Sequence, residues 1–509
     1  TFQNIVQSGL DDPKVYQLLQ KGYTQNIFQF SSKGMTKFLV SMQPDKIEDL
    51  IAANALFRPA TLDSGSTDKY VDCKLGDADP VYLWGTYNAM KNTYGVLCYQ
   101  EQLAQIAREV GKFSLGEGVK LVKLISKKKV DKILALRDKF MAGANENGCP
   151  KEDAEAIWHM FEVAGGYLFN KSHATAYAVT AYAGAYLKAN YPTAFYTIAL
   201  QWAKDDEIPT LMSEMELCSE AKIVPPDINV SGGTFITDYE TNKIFWSLSR
   251  IKMLGAKATE WIINERNVRG EFSSIENFIE RIFRYKLKLY KYWDDPDNPN
   301  EATKCPVNAR HVRHLILSGC FDKVENAQSV IERYAILEKA AKCLGFEISE
   351  KDIPEDLRNK HYFWSQQQIA ISGIGAIDYK RIYDNSEAKP QIKGKASWAL
   401  LKNIQDPDYD GKRVAICANI VDIEEKKFKD KKTGENRVFC KLLLQQNNDL
   451  VEMVIWNDEW MNVRATLCKG GSLSSAKNKM LICSAQVKYS DYTGGNNLQL
   501  YKSSIIDIL

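Results

Sequence analysis

Through the first 205 residues, apolar side chains recur at i, i+3, i+4 and i+7, as at Leu103, Ile106, Ala107 and Val110. That spacing lines one helical face and predicts a strongly helical region from residue 1 to about 205. Within it, an alanine- and tyrosine-rich helix is predicted over Ala176 to Leu187, ending near Asn190 and Pro192. A proline-marked crossing, Val224 to Ile228, leads into strand-like alternation that includes Lys243 to Leu248. Arg284 to Trp293 alternates basic and apolar residues, which on a strand puts Arg284, Lys286, Lys288, Tyr290 and Tyr292 on one face. Residues 323–405 read as a charged, mostly helical connector. From Lys412 the period shortens to two, and strands are predicted near 412–423, 436–445, 449–457, 479–489 and 497–506. A short helix is expected from Asp458 to Arg464, and Asp430 to Gly434 reads as a hairpin. Five short strands of this kind fit an OB-fold barrel.

Composition narrows the class. At 509 residues the chain implies three or four domains. Its 45% hydrophobic and 26% charged content is that of a soluble globular protein. A net charge of +2 means that any nucleic-acid contact must come from local clusters. Eleven cysteines lack any CxxC pair or metal-ligand spacing, which argues against a zinc ribbon and for reduced thiols. There is no signal peptide. The most apolar stretch, Ala174 to Leu200, is broken by Lys188, Asn190 and Pro192, so a packed helix pair is expected there and no membrane contact. A start at Thr1 leads us to expect a fragment, a processed product or half of a split gene.

The richest chemistry lies in Tyr167 to Tyr177, where Lys171, Ser172 and His173 follow Asn170 at a helix start preceded by Gly165 and Gly166. Such a start can receive phosphate oxygens, or simply cap a packed helix. Lys120, Lys123, Lys127, Lys128, Lys129 and Lys132 form a dense positive cluster; Lys120, Lys123 and Lys127 share a helical face that could meet phosphates or only solvent. Lys426, Lys427, Lys429, Lys431 and Lys432 crowd the first hairpin of the β-rich part around Phe428. On an OB-fold they could track a single strand while rings stack on its bases, or remain a solvated hairpin. The Arg284 to Trp293 face suits single strands or the edge of a sheet guarded by lysines.

Phe169-Asn-Lys-Ser-His173 with the later Leu187-Lys-Ala-Asn-Tyr-Pro192 closely resembles the fingers of bacterial DNA polymerase III alpha subunits, the C-family replicative polymerases. Ile27 to Phe30 with Lys33-Gly-Met35, Ala55-Leu-Phe-Arg-Pro59 with Ser64-Gly65, Tyr94-Gly-Val96 with Tyr99-Gln-Glu-Gln102, and Pro225 to Asn229 match the same family in the same order. Ile251 to Ala256 and the helix after it resemble a helix-hairpin-helix, which presents backbone N–H groups to a DNA phosphate. Its usual glycines two residues either side of Gly255 are replaced by Met253 and Lys257, which leaves the hairpin's phosphate contact open.

The resemblance implies a mainly α multidomain chain with a C-terminal all-β OB-fold barrel and no palm. The expected domains are helical fingers at 1–205, a fingers and helix-hairpin-helix DNA-binding region at 206–322, a helical connector at 323–405 and an OB domain at 406–509. Lys123, Lys171, Ser172 and His173 would bind the incoming nucleotide; the family has two adjacent arginines where Val122 and Lys123 stand. Arg58, Lys127, Lys128, Lys252, Gly255, Lys257, Lys427, Lys429 and Lys431 would contact DNA. No catalytic residue is assigned. The candidate Asp-x-Asp pairs, Asp77/Asp79, Asp295/Asp297 and Asp406/Asp408, do not lie on apolar strands; in the family the palm precedes the stretch matching Thr1, so the resemblance implies that the Mg²⁺-binding aspartates lie on a palm outside this chain. The implied partners are primer-template DNA, single-stranded template, a dNTP, a palm-containing polypeptide and, as a further partner the resemblance allows, a sliding clamp. Gln366 to Ala370 is too poor a match for a clamp-binding peptide. The expected compartment is the bacterial cytoplasm or a phage-infected host. The expected activity is that of a DNA polymerase component inactive alone; a non-catalytic DNA-binding replication accessory protein is the alternative, and a lesion-tolerant paralogue fits the same motifs.

Overall fold

The computed structural model describes all residues except 127–129, 165–166, 284–304, 376, 378, 385, 393, 430–433, 448, 469–470, 478, 491–494, 501–505 and 509. The chain divides into two units, Thr1–Pro192 and Thr193–Leu509. The first is helical. Helices α1 (Phe2–Gln7), α2 (Pro13–Gln20), α3 (Lys33–Met42), α4 (Ile47–Leu56), α5 (Pro59–Asp63) and α6 (Ser66–Leu75) come first. They are followed by α7 (Gln100–Glu109), α8 (Leu115–Ser126), α9 (Val130–Glu146), α10 (Lys151–Ala164) and α11 (Lys171–Asn190).

Local chemistry explains these boundaries. Asp12 accepts the Lys14 N–H while Pro13, lacking a donor of its own, opens α2. The expected face of α7 is real: Leu103, Ile106, Ala107 and Val110 are fully buried, against Leu121 of α8, Phe140 of α9 and Trp158 of α10. Gly118 is what lets α8 approach α7, since a Cβ there would stand 3.0 Å from the Ala104 carbonyl oxygen. The alanine-rich helix is longer than its pattern suggested, because Asn170 caps it at one end. Its small residues Ala174, Ala178, Ala181 and Ala185 are buried, and it packs on α4 and α2. Lys188, almost fully buried, ends in hydrogen bonds from Nζ to the carbonyls of Tyr23 and Gln25.

In the second unit, α12 (Pro192–Trp202) and α13 (Ile208–Cys218) lead to a small sheet of β1 (Lys222–Val224), β2 (Ile236–Asp238) and β3 (Lys243–Phe245). Its order is β1-β3-β2, with the first pair parallel and the second antiparallel. Helices α14 (Ala256–Arg269), α15 (Ile275–Ile282), α16 (Ala309–Leu317), α17 (Arg333–Leu344) and α18 (His361–Ser372) follow. Ile262, Phe278, Leu315, Leu337 and Trp364, one from each of them, meet in a single core. The alternating stretch Arg284 to Trp293 lies outside the described residues.

The C-terminal part is a sheet of β4 (Ser397–Trp398), β5 (Arg413–Lys429), β6 (Asn436–Gln446), β7 (Asp449–Ile455), β8 (Met480–Ser490), β9 (Gly495–Gln499) and β10 (Ile506–Ile508). Helix α19 (Asn457–Cys468) stands between β7 and β8. The first four expected strands fall close to their positions, though β5 runs on to Lys429 past a register shift between Ile420 and Asp422. The fifth, expected at 497–506, is described as Gly495–Gln499, with residues 501–505 outside the described ones. Pairing runs from β5 to β6, to β7, in parallel to β9, to β8, and from β8 to β5 again. Alternate residues Val414, Ile416, Leu442, Leu444 and Met453 point into one apolar core.

Candidate functional site

Motifs far apart in sequence converge at the start of α11. Phe169 forms a parallel bridge with Tyr99: its N–H donates to the Cys98 carbonyl at 2.8 Å, and its carbonyl accepts the Gln100 N–H at 2.9 Å. Asn170 Oδ1 accepts the His173 N–H at 2.8 Å and the Ser172 hydroxyl at 2.6 Å. The Lys171 N–H donates to Glu101 Oε2 at 2.9 Å, and its Nζ lies 5.6 Å from the centre of the Tyr99 ring. Two first-turn donors expected to be open to phosphate therefore have carboxylate or amide acceptors within the chain. What the helix start offers an anion is mainly side-chain charge.

His173 is exposed and stands between two rings one helical turn away on each side, Phe169 at 5.6 Å and Tyr177 at 4.1 Å. Phe28, from the first matching motif, extends the row at 5.0 Å from Tyr177. Arg58 closes the other end, with its guanidinium 4.6 Å from the Phe169 ring centre. Its Nε donates to the Ala55 carbonyl at 2.7 Å and its Nη2 to the Tyr167 carbonyl at 2.5 Å. Burial lowers the Arg58 pKa from its ordinary value, yet a guanidinium keeps its proton under any physiological condition. Arg58 thus ties the end of α4 to the segment that leads into α11. Burial pushes the neighbouring Cys98 thiol up to about 12, so it stays neutral.

Beside this helix start is a cleft of about 490 Å³ lined by Gln100, Glu101, Gln105 and Arg108 of α7, Leu115, Val119 and Lys123 of α8, and Asn170. Lys123 is thereby brought to the cap of the helix that carries Lys171. Leu115 and Val119 leave the cleft an apolar wall, at 67% and 42% exposure. Arg108 and Glu101 were missed in the sequence, though a signal existed: residues 101, 104, 105 and 108 repeat at i, i+3, i+4 and i+7 opposite the buried face of α7. Lys120 is exposed outside the lining; Lys127 and Lys128, with Gly165 and Gly166, lie outside the described residues.

In the second unit, the turn before α14 keeps a hairpin shape despite its lost glycine. Met253, at the usual glycine position, has φ of +72°, the left-handed region. Its carbonyl accepts the Gly255 N–H at 3.1 Å, and the Leu254 N–H donates to the Ile251 carbonyl at 3.0 Å. Gly255 caps α14 with open space where a Cβ would project, and Lys252 and Lys257 are exposed on either side.

On the sheet, alternation along β5 puts Lys426 and Phe428 on the outer face and Lys427 and Lys429 on the other. Phe428, Phe439 and Trp456 form a cluster with ring centres 5.3 to 5.8 Å apart. Trp456 is 41% exposed, and Lys426 pairs across the strands with Phe439. The ring face, not the hairpin tip alone, is therefore the notable surface; Lys431 lies outside the described residues.

Among the described residues no group of three or more His, Cys, Asp or Glu side chains is arranged to hold a metal ion. Asp77 and Asp79 sit in an exposed turn, Asp406 caps the Asp408 N–H, and Asp295 and Asp297 lie outside the described residues. Glu101, the carboxylate in the cleft, is engaged by the Lys171 N–H. Among the described residues these carboxylates do not fit a Mg²⁺ site. No described helix is long and apolar enough to cross a membrane.

The bacterial DNA polymerase III alpha subunit finger domain, as a family model, matches residues 3–148, and a helix-hairpin-helix motif matches residues 220–291. DNA polymerase III subunit alpha of Aquifex aeolicus is 35% identical over 340 residues, 66% of this chain and 27% of that protein. The Escherichia coli K12 protein of that name is 28% identical over 522 positions, covering 98% of this chain and 42% of the relative. The Thermus aquaticus protein is 36% identical over 285 residues, 54% of this chain and 23% of its own length. By fold and matched motifs the chain is of the polymerase-finger and helix-hairpin-helix class. It is similar to bacterial DNA polymerase III alpha subunits, and it spans less than half the length of these relatives.

Proposed function

We propose that this chain is the fingers and DNA-binding part of a replicative DNA polymerase, and that its first unit positions the incoming dNTP over the primer-template. The observation that carries this reading is the placing of Lys123 and Arg108 in one cleft with the cap of the helix bearing Lys171, Ser172 and His173. Two of the cations come from a helix pair whose approach Gly118 sets, and Lys171 comes from a separate helix start. Such convergence suits a triphosphate, whose spread charge needs donors from several directions. The apolar wall of Leu115 and Val119 suits the less polar part of a nucleotide. Positioning lowers the barrier by holding the phosphate near the primer terminus before reaction. The Mg²⁺ ions and their aspartates would come from a palm-containing polypeptide, and a sliding clamp would be a further partner.

The hairpin at Lys252, Gly255 and Lys257 would hold a duplex phosphate without reading bases. The strand order β5-β6-β7-β9-β8 and the return pairing of β8 with β5 support an OB-fold barrel. Its cluster of Phe428, Phe439 and Trp456 beside Lys426 suits stacking of single-stranded template bases.

The test is steady-state primer extension by a complete polymerase that carries this segment. Lys171→Ala or Lys123→Ala should raise the dNTP concentration needed for half-maximal rate by about tenfold, with primer-template affinity unchanged. Weakened DNA affinity at a normal dNTP requirement would remove these residues from the nucleotide site.

A further inference from the structure

Met253 has a left-handed backbone at the turn that leads into α14, a conformation that is uncommon and unfavourable for a residue with a Cβ. The neighbouring helix α16 reaches this turn. His314 Nδ1 stands 2.6 Å from the Lys252 carbonyl oxygen. On the same helix the His311 Nδ1 accepts the Asn308 N–H at 3.3 Å, which leaves Nε2–H as its donor, and the Met253 backbone acts to raise the ring's pKa. The Lys252 and Met253 carbonyls belong to the peptide planes on either side of the Met253 Cα. Fixing both planes fixes φ and ψ of the one residue whose geometry the missing glycine would have supplied.

Both rings are neutral donors at ordinary pH. Burial lowers the His314 pKa, and the charges of Arg310, Arg313 and Lys252 lower it further against the effect of the Lys252 hydrogen bond. Burial, then His314, lowers that of His311, against the effect of the Met253 backbone. Arg313 is itself held by Asp352.

We propose that His311 and His314 are positioning residues of the DNA-contacting hairpin: their ring N–H groups clasp the carbonyls of Met253 and Lys252 and keep the turn shaped to present the start of α14 to a phosphate. This rests on the reading of the hairpin as a DNA contact. The clasp replaces a conformationally free glycine with two side-chain hydrogen bonds from a second helix, and it makes α16 part of the DNA-binding element although neither histidine touches DNA.

The experiment is fluorescence anisotropy of a labelled primer-template with the 509-residue chain, over a series of salt concentrations. The His311→Leu/His314→Leu pair should weaken binding by about tenfold and reduce the magnitude of the salt slope by about one. His311→Gln with His314→Asn, which return an amide N–H at the Nε2 and Nδ1 positions, should keep wild-type affinity. Adding Met253→Gly to the leucine pair should restore binding, since glycine holds the turn unaided; a merely structural role for the histidines would not produce that rescue. Should the leucine pair fail to fold, His314→Gln alone, which cannot reach from the Nδ1 position, should weaken binding several-fold.

The reference is Lys252→Ala/Lys257→Ala. If that variant loses affinity while the histidine variants bind as wild type, the clasp is overturned and the hairpin contact stands. If the reference variant also binds as wild type, the hairpin does not contact DNA, and the clasp falls with it.

Discussion

At the residue scale, the charge of a side chain says less than the direction its atoms are committed to. Arg58 and Lys171 look alike in sequence as cations beside a matched motif. Arg58 is turned inward to two carbonyls and an aromatic ring, whereas among the described residues the Lys171 Nζ reaches over a ring. Glu117 shows the same commitment for an anion: it accepts from the Ser114 N–H and hydroxyl and from Lys139 Nζ. These partners, the Lys139 hydrogen bond first, hold its pKa down to about 2 from the ordinary 4.5. Because the folded value lies below the unfolded one, the contribution to stability is full above the unfolded value and is lost as pH falls toward about 2. Urea unfolding of wild type and Glu117→Gln should therefore show a gap in midpoint at neutral pH that narrows only as pH falls below about 4.5. A gap independent of pH would rule out the carboxylate as its source.

At the element scale, periodicity identifies faces and register decides which neighbours share them. Five strands and the helix between the third and fourth were legible, because period-two alternation and turn residues are local signals. The face of the lysine-rich hairpin was not. Five lysines within seven residues look like one patch in sequence, but alternation sends Lys426 to the aromatic side and Lys427 and Lys429 to the other. Single-strand binding measured by anisotropy should weaken by about tenfold for Trp456→Ala or Phe439→Ala, since each stacked base is worth 1–3 kcal/mol by such substitution. Lys427→Ala and Lys429→Ala should have smaller effects that vanish at high salt. Equal losses for both sets would put the strand along the hairpin instead of across the rings.

At the scale of the whole molecule, the two units have separate cores. Residues from Ala89 to Leu168 form one, and a core drawn from Ile228 to Ile371 and another within residues 399–508 lie in the second unit. Each is large enough to support cooperative folding by itself. Chains of residues 1–192 and 193–509 made separately should each unfold in a sigmoidal transition, followed by circular dichroism in urea. Loss of cooperativity in either would mean that its core depends on the other unit.

The sequence alone determined the helical class of the first region, the strand positions of the last, the family and the residues around His173, because each follows from local periodicity or from an ordered string of matched residues. Tertiary structure alone decided that Arg108 and Lys123 line one cleft, that Arg58 supports the start of α11 from within, and that His314 meets the Lys252 carbonyl beside the left-handed Met253. Those outcomes depend on contacts between residues tens of positions apart, such as Arg58 with Phe169 or Lys252 with His314, and no local pattern encodes which side chains a fold will bring within hydrogen-bonding distance.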